Sequence, residues 1–274
     1  MAIITISRQV SSFGDEIASV LSKKINHQLV DQAQVHQFAQ ACDADFSEAC
    51  TLYEKEAQPG FFERMFFNSP AYTSLFESLN LELASKGDII LIGRGAQIVL
   101  RDIPGILKIR VVAPLNLRIQ RLAEQRNISK DEASEFVRRH DHQRAAMVRT
   151  IFDKDLRDWA LYDMIINTTV FSIEAAADII AKAIDEMHYE RTDEQLKEKL
   201  KLMSFGKKVE SALKKHILTS AFRDIQVTVS PDGVATLSGY VQDVPAKEMG
   251  EKIAKGIEGV KKVVNELRTT ELRF

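Results

Sequence analysis

The first two thirds of this chain repeat one pattern: a short, mostly apolar run, rich in β-branched residues, followed by a stretch with helical apolar spacing. The runs are Ala2–Ile6, Gln28–Asp31, Asp88–Ile92, Ile106–Val112 and Met164–Ile166. A strand that is apolar on both of its alternating sides is buried on both faces. Such strands, separated by helices, predict an α/β fold: a parallel sheet with helices on both faces and ligands at the carboxyl ends of the strands. Helical spacing is expected near Glu16–Leu21, through much of the stretch up to Lys86 with breaks at Pro59-Gly60 and Ser69-Pro70, and from Leu115 to about Val148. This last stretch divides near Asn127-Ile128-Ser129, and Ile173 to Met187 is a further helix. Ser129 and Glu132 have the spacing of a capping box.

After Met187 the character changes. Residues 188–203 are dominated by charge, with leucines at 196 and 200, and read as a charged helical linker between a first domain over 1–187 and a second over 204–274. The second domain predicts a helix over about Ser204–Ala221, a strand at Ile225–Val229 and a turn at Ser230-Pro231-Asp232-Gly233. A returning strand at Val234–Val241, a helix at Ala246–Lys255 stopped by Gly256, and a strand at Val260–Leu267 complete a small α+β unit of αββαβ order.

Across 274 residues, 45% hydrophobic and 28% charged side chains belong to a folded globular protein, and a net charge of -2 gives no basic field for nucleic acid. The two cysteines, Cys42 and Cys50, form no CxxC pair and suggest neither disulfide nor zinc site. No run of about 18 apolar residues is present, and the start has no basic region before its apolar run, so a cytoplasmic setting without a transmembrane segment is expected.

Three polar clusters fall at the ends of the predicted strands. The first is the loop Ser7 to Gly14, in the strand–loop–helix setting that aims backbone N–H groups at a phosphate. The full phosphate-loop pattern requires Gly, four residues, Gly, Lys and Ser/Thr. Gly14 takes the second glycine place, while Gln9, Asp15 and Glu16 stand in the other three. Asp15 puts a carboxylate where a cation should meet phosphate; the plainer reading of the loop is an ordinary turn with Ser12 as N-cap. The second cluster is Gly93-Arg94-Gly95, where an arginine between two glycines can meet an anion unobstructed, or simply face solvent. The third is a run of arginines and aspartates from Arg118 to Asp158. Within it, Arg138, Asp141 and Arg144 are expected on one helix face, and the rest on a solvated face laced with ion pairs. The histidines have neither triad nor metal context, and the metal ligands stay unassigned.

Taken in order, Ile4-Thr5-Ile6-Ser7-Arg8-Gln9, Gly14, Glu16-Ile17-Ala18, Ile92-Gly93-Arg94-Gly95, Asp141-x-x-Arg144 and Tyr162 to Thr168 resemble the motifs of the cytidylate-kinase-like family. The resemblance implies a P-loop kinase fold that moves a phosphoryl group from ATP, with Mg²⁺, to a cytidine monophosphate-like acceptor. It implies that Arg8, Ser11, Ser12 and Gly14 line the donor phosphates, that Arg94 holds the acceptor phosphate, that Arg138 and Arg144 belong to a lid, and that Asp31 lies on the acceptor side. The family loop has the form Ser-Arg-Gln-aromatic-Gly-Ser-Gly-Gly-Arg. Here Ser11 and Phe13 replace two glycines and Asp15 replaces the basic residue. Family acidic residues around the Gly-Arg pair are replaced by Ile92 and Gly95, which bears on metal positioning. Residues 204–272 resemble a BON domain through Ile225-x-Val227-x-Val229, Gly233 to Gly239 and Gly259 to Asn265. BON domains are linked to phospholipid or other ligands and often lie in the bacterial envelope, which implies a lipid or small-ligand module here. Two readings stay open, a nucleotide-binding kinase and a catalytically inactive sensor built on the kinase scaffold. The acceptor base and any homo-oligomer stay open as well.

Overall fold

The computed structural model describes residues 1–30, 70–187, 193–216 and 225–269. Their contacts divide them into two compact units. The first holds residues 1–30, 86–187 and 193, and the second holds 70–85, 194–216 and 225–269.

The first unit is built on five parallel strands: β1 (Ile3–Arg8), β2 (Gln28–Val30), β3 (Ile89–Ile92), β4 (Ile106–Val112) and β5 (Met164–Asn167). Their spatial order is β2-β3-β1-β4-β5, all parallel. β1 therefore lies centrally, flanked by β3 and β4, and its carboxyl end is the crevice where an α/β sheet accepts a ligand. The registers set Ile6 beside Ile92 and Ile109, and Ser7 beside Arg110. Because side chains alternate along a strand, Ile4 and Ile6 enter one face while Thr5 and Ser7 enter the other.

On the first face Ile4, Ile6, Ile90, Ile109, Val111 and Ile166 pack against Ile17, Ala18 and Leu21 of helix α1 (Gly14–Lys24). Ala176, Ala177 and Ile180 of a later helix, Ile173–Asp185, complete this core. That helix begins where Ser172 accepts the Ala175 N–H at 3.1 Å. Fully burying each of these isoleucines contributes roughly 1.5–3 kcal/mol. The short helix Ala96–Val99 follows β3; Ile98 packs with Val148, Leu161 and Tyr162.

Between β4 and β5 run the helices Leu115–Arg126 and Lys130–Phe152. Asn127 ends the first in the left-handed conformation, φ 52°, and the capping box opens the second as expected: Ser129 Oγ accepts the Glu132 N–H at 3.2 Å while Glu132 accepts the Ser129 N–H at 2.9 Å.

In the second unit, the charged stretch expected as a linker does not stop before the next helix. Asp193–His216 is one continuous helix: Leu196 and Leu200 are buried on one side, while Val209 and Leu213, about 180° around the axis, are buried on the opposite side in the core with the strands. Helix Pro70–Ala84, which precedes β3 in sequence, groups with it. The two join through polar contacts: Ser78 Oγ donates to the Ser204 carbonyl at 2.8 Å, Ser204 Oγ donates back to the Ser78 carbonyl at 2.9 Å, and Ser211 Oγ donates to the Ala71 carbonyl at 2.9 Å.

The remaining strands are β6 (Gln226–Val229), antiparallel to β7 (Val234–Ser238), and β9 (Lys262–Asn265), parallel to β7. The strand expected over Val234–Val241 is broken at Gly239, φ 119°, so that Tyr240-Val241 leaves as β8 to pair with β10 (Arg268-Thr269). Helix Val244–Lys255 starts two residues earlier than the sequence suggests, because Asp243 accepts the Ala246 N–H at 2.8 Å and Pro245 sits in the first turn, where no N–H is needed. Asp31, Cys42, Cys50 and the expected breaks at Pro59-Gly60 and Ser69 lie outside the described residues.

Candidate functional site

The loop joining β1 to α1 turns through left-handed backbone at Ser11, φ 55°, and at Phe13, φ 65°. These are the two places where the motif calls for glycine. A side chain in this region costs roughly 1–2 kcal/mol, so the loop keeps a glycine path with non-glycine residues. Gly14 has no alternative, because a Cβ there would stand 2.4 Å from Arg8 Cβ.

The loop is held from beneath and from above. From beneath, Ser12 is fully buried, and its hydroxyl donates to the Gln9 carbonyl at 2.9 Å and the Val111 carbonyl at 3.1 Å. It is neither the N-cap of α1, a place Phe13 takes without a side-chain bond, nor turned outward to a ligand. Gln9 accepts the Ala113 N–H at 3.1 Å. From above, Asp141 of helix Lys130–Phe152 accepts the Val10 N–H at 3.2 Å with Oδ1 and Arg118 Nη1 at 2.7 Å with Oδ2. Arg118, itself buried, also donates to the carbonyls of Val10 and Ala113 at 3.2 and 2.9 Å. Asp141 is thereby a residue that shapes the loop.

Arg144 reaches the same loop through Nη1, 3.4 Å from the Arg8 carbonyl. Arg138 does not. It is exposed, and its Nε meets Ser134 of its own helix at 3.4 Å. At 100° per residue the three positions fall within about 120° of one another, with Asp141 between the two arginines, and of the three Asp141 and Arg144 bond the loop while Arg138 turns to Ser134.

Arg8 does two things. Its Nε and Nη2 donate to Asp15 Oδ1 at 3.1 and 3.0 Å, so the carboxylate at the family's basic place is neutralised within the loop itself. Its Nη1 also lies against Gly93, where a Cβ would stand 2.6 Å away. Gly93, Arg94 and Gly95 take φ values of 71, 58 and 66°, a tight left-handed turn tied to β1 by Gly93 N–H donating to the Ile6 carbonyl at 2.9 Å. A Cβ on Gly95 would meet the Phe152 ring at 2.2 Å. Helix Lys130–Phe152 thus touches both the loop and the turn, and brings Arg8, Ser11, Gly14, Arg94, Asp141 and Arg144 into one neighbourhood.

Three further residues belong to this neighbourhood, although the spacing arguments left them in the solvated set or passed over them. Arg121 lies 3.9 Å above the centre of the Phe13 ring and donates to Thr168 Oγ1 and to its carbonyl at 2.9 and 2.7 Å. Thr168 Oγ1 in turn donates to the Ser12 carbonyl at 3.0 Å. The signal was the i, i+3 pair Arg118 and Arg121 directly after Ala113-Pro114, which a count of charges obscured. The third, Arg110, sits inside β4 and donates to Ser7 Oγ at 2.5 Å; burial pushes its guanidinium below the ordinary arginine value. Among the described residues no group of three His, Cys, Asp or Glu gathers to hold a metal ion.

Residues 3–170 match the cytidylate kinase-like family, and residues 206–271 match the BON domain. The cytidylate kinase of Methanocaldococcus jannaschii is 31% identical over 109 residues, which are 39% of this chain and 61% of that protein. The cytidylate kinase of Methanocella arvoryzae is 26% identical over 186 residues, 68% of this chain and 98% of that protein. Among solved structures, an uncharacterized protein from Eubacterium ventriosum shares the fold with a TM-score of 0.51 at 19% identity, over 68% of this chain and 99% of that one.

Proposed function

Because the chain belongs to the cytidylate kinase-like family and carries a BON domain, we propose that its first part binds ATP and a cytidine monophosphate-like acceptor and transfers a phosphoryl group between them. The observation that carries this reading is the loop. Left-handed backbone persists at Ser11 and Phe13 without glycine, and a strained path of this kind is kept where a ligand needs it.

In this reading the loop N–H groups and the amino end of α1 receive the donor phosphates, and Arg144, at the Arg8 carbonyl, stands over them. Arg94, presented by its two glycines, binds the acceptor phosphate. An oxygen of that phosphate attacks the γ-phosphorus in line, the bond to the β-phosphate oxygen breaks, and ADP leaves. Arg8, Ser11 and Gly14 serve the donor side, Asp31 the acceptor side, and Ser12, Asp141 and Arg138 position or flank rather than touch. A Mg²⁺ would enter on the phosphates, since Asp15, in the first turn of α1, is engaged by Arg8. The same proposal includes a kinase-like part over 1–187, a linker over 188–203 and a BON-like part over 204–274. It also includes a cytoplasmic, bacterial setting, and a lipid or small ligand at the BON domain that regulates the kinase part.

The test is ADP release from ATP with a series of nucleoside monophosphates. Acceptor-dependent release that disappears in Arg94→Ala is the expected result; absence of any ATP or monophosphate binding in calorimetry up to millimolar concentrations rejects the reading. A second reading, a catalytically silent sensor, is favoured by the Arg8–Asp15 pair and the Phe13 ring in the loop. Asp15→Lys separates the two. A loop limited by its own neutralised charge gains ATP affinity and turnover, whereas a silent scaffold gains affinity at most.

A further inference from the structure

A cavity of about 500 Å³ lies wholly within the second unit, between the helix Asp193–His216 and strand β6. Four consecutive strand residues, Gln226 to Val229, line it. Successive side chains of a strand point to opposite faces, so a space that touches all four runs along the strand's edge. β6 is an edge strand, with β7 as its neighbour on one side and no strand on the other.

The register shows which main-chain groups face that space. Ser230 N–H donates to the Val234 carbonyl at 3.1 Å, and the pairs Thr228–Thr236 and Gln226–Ser238 follow at the two-residue interval of hydrogen-bonded pairs in an antiparallel ladder. Val227 and Val229 hold the intervening positions, whose N–H and C=O groups turn away from β7. The Val227 carbonyl meets the helix at Gly206, where a Cβ would stand 2.7 Å from it. The Val227 N–H and both main-chain groups of Val229 have no hydrogen-bond partner among the described residues, although Val227 is only 7% exposed. Buried main-chain groups are ordinarily paired, so this edge is incomplete. Pro231 brings no N–H, and the open stretch ends there.

Two side chains that line the cavity are incomplete as well. Glu210, 3% exposed, has Oε2 in ion-pair range of Lys207 Nζ at 3.2 Å, yet no donor is directed at that oxygen. Lys199, half-buried, has no carboxylate in ion-pairing range among the described residues. Leu81, Leu202 and Met203 supply the apolar part of the lining.

We infer that this groove takes an extended, acidic peptide segment of a partner protein, which adds to β6 as a further strand. A strand supplies N–H and C=O groups at the interval that Val227 and Val229 set, whereas an acyl chain or a small ion would leave those groups bare. The peptide carries an apolar side chain for Leu202 and Met203 and an acidic side chain for Lys199, and an N–H of the peptide answers Glu210 Oε2. A second copy of this chain does not fit, because the open edge of its own β6 is bounded by its own helix at Gly206. Phosphoryl transfer plays no part, so peptide binding can fail while ADP release stands, and the reverse.

The test is fluorescence anisotropy on the full chain with a labelled, end-capped heptapeptide of alternating valine and threonine that carries one glutamate at its end. A twin N-methylated at every amide keeps the side chains and loses each main-chain donor. The plain peptide should bind and the twin should bind at least tenfold more weakly. Met203→Lys, at an exposed position that tolerates a charge, should weaken the plain peptide at least tenfold, and Lys199→Glu several-fold. Val229→Pro deletes the open N–H and should abolish binding; should that variant fail to fold, Met203→Lys decides. Equal binding of the twin overturns the inference, as does absence of binding up to millimolar peptide. Dodecanoate bound in place of the peptide would make the groove an acyl site. A dimer in sedimentation that Met203→Lys dissociates, without peptide binding, would make its occupant a second copy. Either result rejects the inference.

Discussion

The two units handle unfavourable local structure in opposite ways. In the second unit the described backbone turns left-handed only at glycines, Gly233, Gly239 and Gly259, where the conformation is unstrained. In the first unit seven non-glycine residues take positive φ. Four are Asn26, Asp88, Asn127 and Asp153, types that tolerate this region. The other three, Ser11, Phe13 and Arg94, all belong to the candidate site. The second unit has its unfavourable feature in buried charge instead. Glu210 is 3% exposed between Lys207 and Lys214 on the helix Asp193–His216, with Ser74 donating to it at 2.7 Å. Strain in one unit marks where a ligand is proposed; charge in the other joins two helices. The contrast suggests that the first unit is shaped for binding and that the second helix pair is shaped for register.

The largest effect should come from disturbing the charge. Glu210→Gln leaves Lys214 buried without its carboxylate and Lys207 with Glu77 alone, and should cost about 3 kcal/mol, read as a lower midpoint in urea. The same group fixes a pH dependence. Burial pushes the Glu210 carboxyl up, but Lys214 and Lys207 more than offset this, and its value falls below the ordinary 4.5. A depressed carboxylate contributes stability that is present above about 4.5 and is lost as pH falls through its lowered value. For Lys207, burial acts downward and Glu77 and Glu210 prevail upward, above the ordinary 10.5. Its contribution is present below about 10.5 and fades as pH rises through the raised value. Melting curves of wild type should therefore decline at both extremes, and Glu210→Gln should flatten the acid limb.

Next in size is the turn that carries Arg94. Gly95→Ala forces a left-handed alanine and sets its Cβ 2.2 Å from the Phe152 ring, for a cost of about 3 kcal/mol. Gly233→Ala in the second unit pays the same backbone term, but its nearest atom is the flexible Lys261 Cγ at 3.0 Å, so about 1–2 kcal/mol is expected. Equal losses would show that Phe152 yields and that helix Lys130–Phe152 is not fixed against the turn.

The sheet could be read from the sequence because each strand is a short, mostly apolar run followed by a helical pattern, a signal that survives a few polar residues such as Lys108 and Arg110. The site was only partly legible. Arg94 and Arg144 announced themselves by their neighbours, but Arg110 lies within an apolar run and carries no local signal; its meaning comes from the register that sets it beside Ser7. Ser12 misled because a serine before a helix usually caps it, whereas here the preceding turn directs its hydroxyl down to Val111. The helix Asp193–His216 misled for a related reason, since two leucines among many charges decide the burial of a helix as surely as a continuous stripe does.

A smaller effect, opposite in sign, sharpens the comparison. Ser11→Gly removes a strained side chain and should raise stability by about 1 kcal/mol, partly offset by the greater entropy of the unfolded glycine. Phe13→Gly removes the same strain but also the stack with Arg121 at 3.9 Å, so it should be neutral or mildly destabilising. If both substitutions destabilise alike, the left-handed backbone is not a source of strain and the argument from loop to ligand loses its footing.

The smallest effect tests whether the lid-like helix has one working face or two. Arg138 and Arg144 carry the same charge on the same helix, and both fall within the arginine-rich stretch, so a general electrostatic role would make them interchangeable. They stand about 120° apart around the axis, and of the two Arg144 reaches the loop, at the Arg8 carbonyl, while Arg138 turns to Ser134. Arg138→Ala should therefore change stability by less than about 0.5 kcal/mol and leave ATP affinity within twofold, as for a surface site whose bond to Ser134 is long and exposed. Arg144→Ala should weaken ATP at least tenfold. Equal losses from the two would mean that the helix acts as a diffuse positive field; a loss from Arg138 alone would mean that the face turned from the loop in this structure is the one that meets the ligand.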